Sequence, residues 1–264
     1  MGIQERIRFA ASNGLRFAAI RILARVIYPE LRLRWNNLDW YNDETFNNYL
    51  QLFGETHGIN SGRRWMAYQL LRATKDVPGD TAECGIFQGA TSYMICAFAE
   101  HARLTRTHHA FDSFEGLSEP RDLDGRHWRK HDLSVDLASV QQRLARFSGV
   151  RYYKGWIPER FPDLDALSFS FVHIDVDIYE PTRDSIAFFY PRLSEGGILV
   201  CDDYGFAVCP GATKAIDDYL RDKPEKMIAL SDGGGFLIKG RSVADSYPVV
   251  PGRSGVARRG HLTG

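Results

Sequence analysis

At 264 residues, with 44% hydrophobic and 25% charged residues and zero formal net charge, the chain is sized for one α/β domain with extensions and composed as an ordinary soluble globular protein. The lack of a basic excess argues against nucleic acid as a partner, and the lack of any run of about 18 apolar residues argues against a transmembrane helix. Cys84, Cys96, Cys201 and Cys209 show no C-x-x-C spacing and are expected to be reduced thiols of a cytoplasmic protein.

In chain order, Ile3 to Ile27 is apolar and punctuated by Arg6, Arg8, Arg16, Arg21 and Arg25, with no small-residue cleavage site behind a clean apolar core. Leu15, Ala18, Ala19, Ile22, Leu23 and Val26 carry helical spacing. Residues 1–35 read as a membrane-surface helix, a subunit-contact helix or a helix packed on the catalytic domain as part of its lid. Asn36, Asn37, Asn42 and Asp43 mark a loop, and helical spacing returns with Trp65, Met66, Leu70 and Leu71. Residues 1–79 are expected to form a helical extension and lid, in a protein that assembles as a homo-oligomer.

Pro78-Gly79-Asp80 opens the first strand, and from there strands and helices alternate through residues 80–240. The expected order is a strand to Cys84, a helix from Thr91, a strand His108 to Asp112, a helix from about Ser134 and a strand Val150 to Lys154. Next come a strand Phe169 to Asp175, a helix after Pro181, a strand Gly197 to Asp202 and a helix after Gly211. This alternation predicts βαβ units and a mostly parallel sheet. Lys226 to Leu230 and Gly235 to Lys239 flank Ser231-Asp232-Gly233-Gly234, so an antiparallel hairpin closes the sheet. Ser113 to Leu133 is a long polar loop of the kind that is usually either functional or disordered, and residues 241–264 are expected to be a surface tail.

Ligands of open parallel sheets bind outside the carboxyl ends of the strands, where every candidate residue falls. Gly85 and Gly89 either make a tight strand-to-helix turn or let the backbone approach a ligand, with Thr91 and Ser92 offering hydroxyls at a helix start. Asp112 either accepts the two hydroxyls of a ribose or caps a turn with Ser113. Gly155 and Trp156 end the third strand, the indole bordering an adenine ring or packing in the core. Asp175 and Asp177, then Asp202 and Asp203, follow two buried strands, and carboxylates so grouped need a cation to stay ionised together. Their hard oxygen donors suit Mg²⁺ or Ca²⁺. His173, on the same face as Asp175, reads as a buried strand residue rather than a ligand.

Glu83-Cys84-Gly85-Ile86-Phe87-Gln88-Gly89, Asp112-Ser113-Phe114-Glu115-Gly116-Leu117, Lys154-Gly155-Trp156, His173-Ile174-Asp175-Val176-Asp177-Ile178-Tyr179-Glu180 and Asp202-Asp203-Tyr204 occur in this order. As an ordered set, over roughly residues 45 to 240, they resemble the macrocin O-methyltransferase family. The resemblance implies a Rossmann-like class I fold and an S-adenosylmethionine- and Mg²⁺-dependent enzyme that methylates sugar hydroxyls of antibiotics and related natural products. It further implies that Glu83, Gly85, Gly89, Ser92 and Asp112 bind S-adenosylmethionine, that Asp175, Asp202 and Asp203 hold the metal, and that Asp177 is the general base. Thr91, Ser113, Gly155 and Trp156 complete the expected cofactor set, and the acceptor is a small or glycosylated molecule. Two other readings stand beside this one: a catechol-type O-methyltransferase, and a catalytically silent nucleotide-binding module. An expensive carboxylate cluster argues against the second.

Overall fold

The computed structural model describes residues 39–56 and 60–244, together with residues 15, 16, 18–20, 22–24, 26 and 27. The expected loop at Asn36 and Asn37 and the expected tail from residue 245 onward lie outside them. The chain divides into two compact units, residues 1–49 and residues 50 onward. In the first, the described residues from 15 to 27 are helical, and Leu15, Ile22, Val26 and Ile27 are exposed. A 3-10 turn at Asp39–Asn42 leads into helix α1 (Glu44–Leu52). The Asp43 carboxylate accepts the Phe46 N–H at 2.7 Å, as an N-cap does.

The second unit is built on a seven-stranded sheet. Its strands are β1 (Asp80–Cys84), β2 (His108–Asp112), β3 (Val150–Lys154), β4 (Phe169–Ile174), β5 (Leu193–Cys201), β6 (Ile228–Ala229) and β7 (Gly235–Ile238), in the spatial order β3-β2-β1-β4-β5-β7-β6. β1 through β5 run parallel, while β7 is antiparallel to β5 and β6 to β7. The expected α/β class, mostly parallel sheet and closing hairpin are all present. Strand order reverses between β1 and β4, which opens a crevice at their carboxyl ends.

Burial explains the strand order. Every residue of central β4 is buried, whereas edge strand β3 has none fully buried. On one face of the sheet, Val172 and Ile174 of β4 pack with Ile186 and Phe189 of α5 (Tyr179–Phe189) and with Ile216 and Leu220 of α6 (Pro210–Leu220). On the other, Phe171, Ile198 and Val200 meet Leu70 and Leu71 of α2 (Ser61–Ala73) and Ile95 and Phe98 of α3 (Ala90–His101). Helix α2 thus belongs to the sheet's own core. Helix α4 (Leu137–Leu144) adds Val140 and Leu144 against Ile86, Ala110 and Phe114.

Helix starts differ from expectation where prolines and caps decide them. α5 begins at Tyr179, two residues before Pro181, because a first-turn N–H has no intrahelical acceptor and its loss costs no bond. α6 likewise starts on Pro210 instead of after Gly211. α4 starts at Leu137, where Asp136 accepts the Ser139 N–H at 2.9 Å. Among the described residues no helix is long and apolar enough to cross a membrane.

Candidate active site

The turn after β1 is dictated by close approach. Gly85 has φ +82, and a Cβ there would lie 1.7 Å from the Asp175 carbonyl oxygen, so only glycine fits between the ends of β1 and β4. Gly89, at φ +86, caps the start of α3. Asp112, at the end of β2, braces this turn. Its Oδ2 accepts the N–H groups of Ile86 at 2.8 Å and Phe87 at 3.1 Å, and its Oδ1 accepts that of Phe114 at 2.7 Å. Burial raises its pKa and the three amides counter that rise. A carboxylate has about four lone-pair sites, so Asp112 keeps capacity for a ligand hydroxyl. Ser113 makes its own turn, accepting the Glu115 N–H at 3.0 Å and donating to the Gly116 carbonyl at 2.8 Å.

Glu83 and Ser92 form the layer behind the turn. Ser92 is fully buried, donates its hydroxyl to Glu83, and lies 2.9 Å from His108 Nε2. Burial alone would raise the Glu83 pKa, but His108 and His173 outweigh it and hold the carboxyl down at about 2. The Thr91 hydroxyl, also buried, instead accepts a hydrogen bond from Arg64 Nη1, and both residues line the cavity of this site. Beyond β3, Gly155 adopts φ 153, and the backbone N–H of half-buried Trp156 donates to Glu159 Oε2 at 3.2 Å.

The four aspartates converge at the ends of β4 and β5 but not as one even cluster. Asp175 and Asp202 group with His173, while Asp177 and Asp203 group with Cys209, the potential ligand atoms of each group lying within 4.8 Å of one another. The expected trio of Asp175, Asp202 and Asp203 is thereby divided. Arg63 of α2 pairs with the Asp202 carboxylate on one side, and the Asp177 N–H donates to Asp203 Oδ2 at 2.8 Å on the other. His173 is fully buried and stands 3.5 Å from Glu83 and 3.7 Å from Asp202, ion-pair rather than hydrogen-bond distances.

Charge balance explains how the four carboxyls differ. Burial opposes ionisation of Asp202, yet His173 and Arg63 overcome it and hold this carboxyl below the usual range. Burial and the Asp202 charge push Asp175 up to about 6. Burial, with Asp175 and Asp202, pushes Asp177 up to about 8. Asp203 is raised well above its usual range by burial and by Asp177. Asp175, Asp177 and Asp203 resist ionisation even with Arg63, Arg64 and His173 nearby, and their hard oxygen donors fit Mg²⁺.

Both sets of residues border a single cavity of about 410 Å³. Glu83, Gly85, Thr91, Asp112, Ser113, Gly155 and Trp156 line it from the β1–β3 side, and Asp175, Asp177, Asp202 and Asp203 from the β4–β5 side. Of the expected residues, Gly89 and Ser92 do not line it: one shapes the backbone and the other is hydrogen-bonded inward. Asn60, Arg63 and Arg64 also line the cavity and went unnoticed in the sequence, since they carry no motif and owe their position to α2 packing on the sheet. Cys209 precedes α6, and neither it nor Trp128 of the long loop sits in a sequence motif that marks it as part of a site.

The family described as Macrocin-O-methyltransferase (TylF) matches residues 67–230. A tetracenomycin-C relative, 8-demethyl-8-(2,3-dimethoxy-alpha-L-rhamnosyl)-tetracenomycin-C 4'-O-methyltransferase of Streptomyces olivaceus, is 32% identical over 155 residues, which is 54% of this chain and 58% of the relative. Demethyldecarbamoylnovobiocin O-methyltransferase of Streptomyces niveus is 26% identical over 246 residues, 81% of this chain and 89% of the relative. Among solved structures, the O-methyltransferase NovP superposes with a TM-score of 0.57 at 25% identity, covering 68% of this chain and 80% of NovP. The calicheamicin methyltransferase CalS11 superposes with a TM-score of 0.63 at 21% identity, covering 76% of this chain and 86% of CalS11, a likeness of fold. With 164 consecutive residues of 264 matched, from 67 to 230, the chain belongs to the macrocin O-methyltransferase family.

Proposed function

We propose that the protein transfers a methyl group from S-adenosylmethionine to a hydroxyl on the sugar of a glycosylated natural product or glycolipid, in a Mg²⁺-dependent reaction. The observation that carries this reading is the single cavity, bordered on one side by the glycine turn with Asp112 and on the other by four aspartates. The name of the Streptomyces olivaceus relative, a methyltransferase of a rhamnosyl tetracenomycin-C, supports a glycosylated acceptor.

In this reading Gly85 and Thr91 border the methionine end of the cofactor, Asp112 accepts ribose hydroxyls, and Ser113, Gly155 and Trp156 border the base. Glu83, Gly89 and Ser92 keep the turn in shape. Asp175, Asp202 and Asp203 hold the Mg²⁺, with Arg63 yielding its hold on Asp202. Bound there, the cation supplies Lewis acidity that makes an acceptor hydroxyl easier to deprotonate. Asp177 takes the proton. An alcohol with pKa ~16 faces an ordinary aspartate near ~4 with a gap of ~12, too large for a base alone. The rise of Asp177 to about 8 belongs to the metal-free site, where burial and the Asp175 and Asp202 charges cause it. Beside a cation that value falls and Asp177 stays ionised to accept the proton, so the gap is closed from the hydroxyl side.

The test is a screen of glycosylated acceptors with methyl-labelled S-adenosylmethionine and Mg²⁺. Label recovered on a sugar oxygen agrees with the proposal, and label accepted only by flat aromatic diols would replace it with the catechol-type reading. The finer proposals are a cytoplasmic enzyme, supported by four buried free cysteines, a homo-oligomer, and membrane-surface contact through residues 1–35. The exposed apolar side chains of the described residues from 15 to 27 support the last two. A protein starting near Asn36, compared with the full chain in vesicle sedimentation and size-exclusion chromatography, separates them: lost vesicle binding marks the membrane, and a fall in assembly size marks subunit contact.

A further inference from the structure

The loop between β2 and α4 is tied to the acidic side of the cavity. Asp124 is buried, and its two oxygens accept the N–H groups of Tyr179 at 2.7 Å and Arg121 at 2.8 Å, so this loop carboxylate caps α5. A Cβ on Gly211 would stand 1.8 Å from Asp124 Oδ1, and the absence of one lets the loop sit against α6. From this anchor Trp128 donates its indole N–H to Cys209 Sγ at 3.3 Å. The Cys209 thiol, only 3% exposed, reaches Asp177 Oδ1 at 3.7 Å.

The order of donors in this chain is fixed by chemistry. An indole N–H can only donate. Cys209 Sγ, which accepts the indole N–H, in turn donates its own S–H to Asp177 Oδ1. Asp177 has φ 61, lies outside both β4 and α5, and gives its own N–H to Asp203. Its carboxylate therefore depends on side-chain partners for its orientation, and Cys209 is its donor from α6.

We propose that Cys209 is a positioning residue for Asp177 and that Trp128 couples it to the loop, so that the base is held in line only while the loop is seated. This rests on the reading of Asp177 as the base. In the full chain, unfolding midpoints of Trp128→Phe, Cys209→Ala, Asp177→Asn and the two adjacent double variants give an acceptor-independent test. Bonded neighbours couple, so each double variant should depart from the sum of its singles, and simple additivity in either pair overturns the chain. With p-nitrophenyl α-L-rhamnoside, or whichever glycoside the screen identifies, kcat should fall roughly 3- to 10-fold in Cys209→Ala and Trp128→Phe, the loss of one modest hydrogen bond. KM and cofactor affinity should hold, and Cys209→Ser should recover most of the rate. Equal loss in the serine and alanine variants, or a loss confined to cofactor affinity, would reduce Cys209 to packing. If Asp177→Asn leaves turnover intact, the base assignment falls and the inference with it. If it abolishes turnover while Cys209→Ala changes nothing, the inference alone falls.

Discussion

The acidic cluster should make the metal-free protein less stable as pH rises, and Mg²⁺ should reverse this. An aspartate near 3.8 in the unfolded chain is pushed to about 8 at Asp177 and to about 6 at Asp175. Between these values the folded protein binds more protons than the unfolded one. A raised folded pKa gives stability that is present below the unfolded value and lost as pH climbs through the folded value. His173, raised from 6.5 to about 9 as the Asp202 and Glu83 carboxylates overcome burial, has the same sign at higher pH. Asp202 and Glu83 are depressed and add no slope above about pH 5, while His109, lowered from 6.5 by burial, opposes the trend only near and below that value. Each extra bound proton contributes ~1.4 kcal/mol per pH unit, so Asp177 alone predicts a loss of roughly 2 to 3 kcal/mol from pH 5 to 7. Urea unfolding in chelator at pH 5, 6, 7 and 8, repeated with Mg²⁺, measures this. A cation in hundredfold excess over its Kd should add about 2.7 kcal/mol at pH 8 and much less at pH 5, where protons compete. A Mg²⁺ effect that is absent, or equal at the two ends, would refute the reasoning.

Replacing Asp112 with Ala should weaken S-adenosylmethionine binding by about 1.5 to 3 kcal/mol in calorimetry, and Asp112→Asn should separate lost ribose contacts from lost turn bracing. Asp177→Asn should lower kcat strongly while metal affinity stays near that of the wild type; lost metal binding would make Asp177 a ligand. Gly85→Ala and Gly205→Ala form a matched pair at φ +82 and +83. The first drives a Cβ into a carbonyl and should prevent folding or cost several kcal/mol, while the second, with nothing within 4 Å, should cost only the ~1–2 kcal/mol of the left-handed backbone in thermal melts.

What could be read from the sequence was whatever is local along the chain. An apolar run ending in Gly or Asp marks a strand end, so β1, β2, β4 and β5 and their acidic termini were legible, as was the hairpin turn at Ser231–Gly234. The direction of a side chain at such an end was not. Ser92 offers a hydroxyl at a helix start whether it faces a ligand or, as here, Glu83. Nor could spacing show that Arg63 reaches Asp202, 139 residues away, or that the carboxylates fall into two groups. Helical spacing at Leu70 and Leu71 announced an apolar face, while its cover of Phe171 and Ile198 comes only from the folded sheet.

The central question is whether one cavity holds cofactor and cation together. A crystal structure with S-adenosylhomocysteine and Mn²⁺ as an anomalously scattering substitute for Mg²⁺ measures this. The expected result is the ribose on Asp112, an anomalous peak within coordination distance of Asp175, Asp202 and Asp203, and Arg63 displaced from Asp202. An anomalous peak elsewhere, or none in a protein that methylates its acceptor fully in chelator, would contradict the account.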